Sequence, residues 1–193
     1  MGAVAEPTSA EHLRRSLFAA IDPTDLPDIW IGDATAKVTI IEYASLTDPH
    51  CARFHEEVLP ELRKRYIDTG KVRFALREYP ECPQSLAAFL VARAAGLDKR
   101  DAYLETFFRT SGQWTAFTKS LDILPTITDG LGMARDELDA ALNNEALMTG
   151  ICQVRARART LGVHSFPTFF VGTERLVGAQ PLASFEAAIA AQA

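Results

Sequence analysis

The stretch that most constrains how this chain can fold runs from residue 37 to residue 80. KVTIIEYAS (37–45) is rich in β-branched residues and bounded by polar ones. DPHCARFHEEVLPELRKRY (48–66) comes next, with Cys51, Phe54, Val58, Leu62 and Tyr66 recurring at helical spacing, and Thr69-Gly70 closes that helix. KVRFALREYP (71–80) then alternates as a second strand. A strand, a helix and a strand so close in sequence make a βαβ unit, whose crossover sets the two strands parallel and adjacent.

From Pro83 to about Gly162 no strand is evident. QSLAAFLVARAAGL, RDAYLETFFRT, SLDILPTITDGLGM, RDELDAALNN and EALMTGICQVRARARTLG read as successive helices broken at Gly, Pro and Asn. FPTFFVG (166–172) and RLVGA (175–179) form a hairpin across Gly172-Thr173-Glu174, and PLASFEAAIAAQ (181–192) is a last helix. The order is β-α-β, a helical block, then β-β-α. It predicts an N-terminal arm over 1–28, one α/β domain built from 29–82 and 163–193, and a helical domain inserted over 83–162.

A length of 193 residues with 48% hydrophobic composition is enough for a substantial core. The net charge of -5 offers no basic footprint for nucleic acid. The best apolar run, LAAFLVARAAGL (86–97), is interrupted by Arg93 and suits a core helix rather than a membrane span. Cys51, Cys82 and Cys152 are an odd count, so at most one internal pair forms and a disulfide scaffold is excluded. No signal peptide is present as written, yet Ala3-Val4-Ala5 reads like the tail of an A-x-A cleavage site. The expectation leans to an exported, periplasmic protein, with a cytoplasmic one as the alternative.

This element order, with IWIGDATAKVTIIEYASLTDPHCARF and LGVHSFPTFFVG in sequence, resembles the DsbA-like thiol–disulfide oxidoreductases. The resemblance spans about residues 29–190. It implies a thioredoxin fold with a mixed central sheet and an inserted helical domain, no cofactor, and protein thiols or extended peptide segments as partners. The family's active-site helix opens on Cys-x-x-Cys, often Cys-Pro-His-Cys; here the four residues are Asp48-Pro49-His50-Cys51. The exposed attacking cysteine is the one replaced, and Cys51 matches the more buried, resolving position. The resemblance also implies that Pro167 is cis and that Phe166 before it, with Pro49, offers a platform to a peptide.

Each residue also has a plainer reading. Asp48 is a good helix N-cap with Pro49 at the first helical position; otherwise it keeps an anion where the family keeps a thiolate. Cys51 is pulled toward reactivity by the helix N-terminus and toward inertness by burial on the core side. His50 stabilises the first thiolate in the family and here pairs with Asp48 at most. Cys82 reaches the same sheet edge as Asp48 and Cys51 if the strands are neighbours, so it is a possible redox partner or an unpaired thiol at a helix start. Cys152 is expected to be half-buried, and Arg155, Arg157 and Arg159 to form a solvated face. His55, one turn beyond Cys51, raises a metal reading with Asp48 that lacks a fourth ligand, so no metal is assigned. Gly130-Leu131-Gly132 lacks the third glycine and preceding strand of a dinucleotide site.

Three functions are compatible with these residues. The first is a divergent thiol–disulfide oxidoreductase or disulfide-exchange protein acting through Cys51, alone or with Cys82. The second is a redox-inactive peptide-binding or chaperone-like module that keeps the groove. A glutathione-using enzyme of related fold ranks last, because Asp48 would repel a second thiolate.

Overall fold

A computed structural model describes residue 24, residues 26–115 and residues 123–192. Most of the expected N-terminal arm, and all of Ala3-Val4-Ala5, lies outside the described residues. The sheet holds β1 (Trp30–Ile31), β2 (Val38–Ala44), β3 (Val72–Glu78), β4 (Thr168–Val171) and β5 (Glu174–Val177) in the order β1-β3-β2-β4-β5. β2 and β3 are parallel, in register from Val38 opposite Val72 to Ala44 opposite Glu78. β4 runs antiparallel to β2 and β5 antiparallel to β4. The sheet is therefore mixed, as the order β-α-β then β-β-α requires. The hairpin turn is shorter than the sequence suggests, because Glu174 already pairs with Val171 and only Gly172 and Thr173 remain between the strands. β1 adds a short antiparallel edge beside β3, with Trp30 beneath the Arg73 guanidinium.

The helix after β2 begins as α1 (Pro49–Arg53) and continues through a π turn (Phe54–Val58), α2 (Leu59–Leu62) and a second π turn (Arg63–Ile67). Pro60 explains the first departure: it has no N–H for an α-type bond, and the N–H of Leu59 donates to Phe54 O, five residues back. Each wide turn rotates the residues beyond it about the helix axis. The buried stripe consequently runs Cys51, Phe54, Leu62 and Ile67, while Val58 and Tyr66, expected on it, are half-buried.

After β3 come α3 (Pro83–Ala94), α4 (Leu97–Arg109), α5 (Ser111–Trp114), α6 (Leu124–Gly130), α7 (Arg135–Leu142) and α8 (Glu145–Thr160); α9 (Leu182–Ala190) lies after β5. No helix among the described residues is long and apolar enough to cross a membrane. One apolar cluster joins Phe54, Phe74 and Phe169 from the sheet side to Phe89, Phe107 and Trp114 from the helical block. Phe54 packs 4.5 Å from Phe169 and 5.4 Å from Phe185, ring centre to ring centre. A second cluster, with Ile41, Tyr43, Tyr79, Val154 and Phe170, covers the other face.

Because both faces are covered, neither Arg77 nor Glu78, which point to opposite faces of β3, meets a wet side there. Arg77 and Glu78 are buried instead, and each is paired. Arg77 forks onto Asp28 with bonds of 2.8 and 2.7 Å and also donates to the Tyr43 hydroxyl. Glu78 accepts from Arg93 at 2.8 and 3.0 Å and from Arg100 at 2.9 Å. Two expectations on α8 are corrected. Cys152 is exposed rather than half-buried, since the buried face of that helix runs through Gly150, Ile151, Val154 and Ala158. Arg155 is not simply solvated: its guanidinium lies 5.8 Å from the centre of the Tyr79 ring, and its Nε is buried.

Candidate functional site

β2 delivers the chain at Ala44 to a three-residue loop and then to Asp48, which has extended backbone angles of φ -88 and ψ 124. Its Oδ1 accepts from the N–H groups of His50 and Cys51, both at 2.9 Å, and Pro49 takes the first helical position. These are two of the N–H groups that a helix start otherwise leaves without a partner. Asp48→Ala is expected to cost about 1 kcal/mol of stability, read as a lowered urea midpoint at unchanged slope. Pro49 and His50 are exposed on the outer side of this turn.

Cys51 sits on the inner side with no exposed surface. Burial pushes its thiol well up, and the carboxylates of Glu42 and Asp48 add to the shift. The two opposed influences at a helix start are thus decided for burial, and the side chain is held as a neutral thiol. Glu42, central in β2, is itself fully buried; its Oε2 lies 2.8 Å from His55 Nε2. The His55 ring stacks on Phe108 at 4.0 Å between centres. His55 therefore turns to the buried carboxylate, and among the described residues no group of three metal-binding side chains exists.

Cys82 precedes α3 and is half-buried, with its Sγ 3.7 Å from the Thr47 hydroxyl. Thr47 bonds Ser45, Ser45 bonds Ser85, and Ser85 bonds the N–H of Leu46, so the start of α3 is tied to the loop before Asp48. All three cysteines are free thiols in this structure. Glu81, next in line, has its carboxyl pushed up by burial and by the Asp48 charge, against a hydrogen bond from Ser45.

The other side of the site is the loop before β4. The Phe166–Pro167 peptide is cis, Pro167 is buried, and Phe166 is half-buried. The Phe166 ring rests 4.3 Å from Tyr79, centre to centre, and Pro167 O accepts from the N–H of Gly178 at 2.7 Å. Sequence reasoning missed Tyr79, Glu81 and the role of Glu42. Only Glu42 carried a signal, as a lone carboxylate inside an otherwise apolar strand.

The five-stranded mixed sheet, the capped helix leaving β2 and the cis-proline loop before β4 define a thioredoxin-fold protein with a helical insertion. Residues 24–191 match the family model described as Thioredoxin, and the chain belongs to that family, in its DsbA-like thiol–disulfide oxidoreductase branch. The "putative protein-disulfide oxidoreductase" of Rickettsia prowazekii is 30% identical over 146 residues, 75% of this chain and 54% of its own length. The chain thus spans about half the length of the curated relatives it matches. Among solved structures, a variant of alpha-DsbA1 from Wolbachia pipientis with two cysteines changed to alanine superposes with a TM-score of 0.83 at 27% identity, covering 92% of this chain and 94% of that one. BdbD from Bacillus subtilis shares the fold, with a TM-score of 0.76 at 17% identity over 86% of this chain and 92% of its own.

Proposed function

We propose that this chain is a redox-silent DsbA-like protein that binds extended peptide segments of client proteins. The observation that carries the reading is the burial of Cys51: it has no exposed surface, and that burial, with the carboxylates of Glu42 and Asp48, pushes its thiol well up. The thiolate is the nucleophile in disulfide exchange, and the three largest influences at Cys51, its burial and the Glu42 and Asp48 charges, disfavour it against a hydrogen bond from Ser45. With Asp48 at the outer position the motif has no sulfur there to form a mixed disulfide that Cys51 would resolve. What persists is a surface of the kind an extended peptide uses, with Pro49 and His50 exposed on one side and the half-buried Phe166 ring beside Pro167 on the other. Partners in this reading are unfolded or extended protein segments, in an exported compartment.

One observation favours a second reading. The contact between Thr47 and Cys82 sets a half-buried thiol against the residue that precedes Asp48, where it would serve as a relocated partner for Cys51.

The test uses Cys152, which is exposed, as an internal reference. In native protein, iodoacetamide is expected to label Cys152 readily and Cys51 only on unfolding. Binding to a reduced, carboxymethylated unfolded client is expected to persist without any free cysteine in the client and to weaken in Phe166→Ala by about 1–2 kcal/mol, as for loss of an aromatic anchor. Labelling of native Cys51 at the rate of Cys152, or a Cys51–Cys82 disulfide mapped in air-purified protein, would replace this reading with the redox one.

A further inference from the structure

Away from the capped turn, a cavity of about 450 Å³ lies between the sheet, the helix after β2 and α4. That volume is in the range of small-molecule sites. Its apolar walls come from Ile31, Leu59, Phe74, Leu76, Leu104 and Phe108. Arg100 lines it too, although that side chain is almost fully buried.

The charge around Arg100 does not balance. Glu78 is one carboxylate shared by two guanidiniums, those of Arg93 and Arg100, so the buried group carries one positive charge in excess. Arg93 has a further acceptor in Pro27 O, and Arg100 has Leu76 O through Nη2, but Nε of Arg100 is buried with no acceptor among the described residues. Such a charged donor left without an acceptor in an apolar setting is costly. The other acids lining the cavity do not answer it: Glu56 and Glu105 are exposed at its rim, and Asp101 lies 3.8 Å from Arg63.

We propose that this cavity binds a small aliphatic monocarboxylate, with the carboxylate on the Arg100 guanidinium and the hydrocarbon against Leu59, Phe74 and Leu104. A carboxylate there supplies the missing negative charge beside the buried guanidinium, while the chain fills apolar space that no side chain of the described residues occupies. Nothing in this proposal depends on the peptide-binding reading, since none of these groups belongs to the surface around Phe166.

The probe is octanoate, with 1-octanol as its uncharged counterpart, titrated into the full chain at neutral pH. Binding is followed by calorimetry and by the histidine ring signals in NMR. Because His55 stands in the cavity wall and His50 and His164 do not, octanoate is expected to shift the His55 ring signals and to leave those of His50 and His164 in place. It should bind at one site and about ten-fold more tightly than octanol, the advantage of a charge-assisted bond over a neutral one. Arg100→Lys keeps the charge near Glu78 but removes the planar guanidinium, and should weaken octanoate about ten-fold with little change for octanol. Since Arg100 is buried and substitution there can disturb folding, Leu59→Trp serves as the second variant: Leu59 is half-buried, and the larger ring should fill the cavity and abolish both ligands. No octanoate binding at millimolar concentration, octanol binding as well as octanoate, or undiminished binding to Leu59→Trp would each overturn the proposal.

Discussion

Asp48→Cys is expected to raise disulfide chemistry well above that of the parent chain. The substitution places a thiol at the half-exposed start of α1, where the helix N-terminus lowers thiol pKa values. It also removes one of the two carboxylates that hold the Cys51 thiol up. Two sulfurs then stand at Cys-x-x-Cys spacing, so the outer thiolate can attack a client disulfide and Cys51 can resolve the mixed disulfide, leaving a bond within the motif and a reduced client. In an insulin-reduction assay with dithiothreitol, the parent chain should match the uncatalysed background. The variant should exceed it by at least about ten-fold, equivalent to roughly 1.4 kcal/mol of barrier. Loss of the cap will lower its stability by about 1 kcal/mol, which a urea titration reports separately. A variant that folds, forms the 48–51 bond and still matches background would mean that the missing nucleophile is not what silences the site. A parent chain already well above background would end the redox-silent reading outright.

The second large effect is expected at Glu78, outside the candidate peptide surface. Glu78→Gln leaves Arg93 and Arg100 buried with no anion between them. Breaking a buried charge group by removing one member costs about 3–5 kcal/mol, far more than a surface pair is worth. The same carboxylate sets a pH dependence whose sign is definite. Burial acts to raise its pKa, but Arg100 and Arg93 override that and hold it below the ordinary value of 4.5. A carboxyl lowered by folding contributes stability that is fully present above its unfolded value and lost as pH falls through its folded one. Urea midpoints should therefore hold near neutral pH and fall as pH drops below 4.5, more steeply for the parent chain than for Glu78→Gln. Equal acid sensitivity in the two proteins would show that Glu78 does not carry the linkage.

The features legible from sequence are those whose physics is local. β2 and β3 could be placed side by side because each run of residues is β-rich and the helix between them leaves no room for a hairpin. Asp48 and Pro49 could be assigned to a helix start because a carboxylate and a proline meet the needs of the first turn whatever surrounds it. The helices described between Pro83 and Thr160 were likewise carried by periodicity and breaks. The bonding pattern within the helix after β2 was less legible. Pro60 was visible, but not that its missing N–H would be absorbed by a π turn that moves Val58 and Tyr66 off the buried stripe.

What only the tertiary structure decided is what lies at the far end of each side chain. Helical spacing put His55 near Cys51, but not that its Nε2 would meet Glu42 on β2, thirteen residues earlier. The alternation of β3 sends Arg77 and Glu78 to opposite faces of the sheet; helices on both sides bury them, and Asp28, Arg93 and Arg100 arrive from distant parts of the chain to pair with them. Cys82 comes to Thr47, and Phe166 to Tyr79, through the sheet and the loops at its edge. The amino-acid sequence by itself determined the order of elements and the turn capped by Asp48, because these depend on neighbours along the chain. The fate of the remaining cysteine depended on burial and on charges brought in by other strands, and those exist only once the chain is folded.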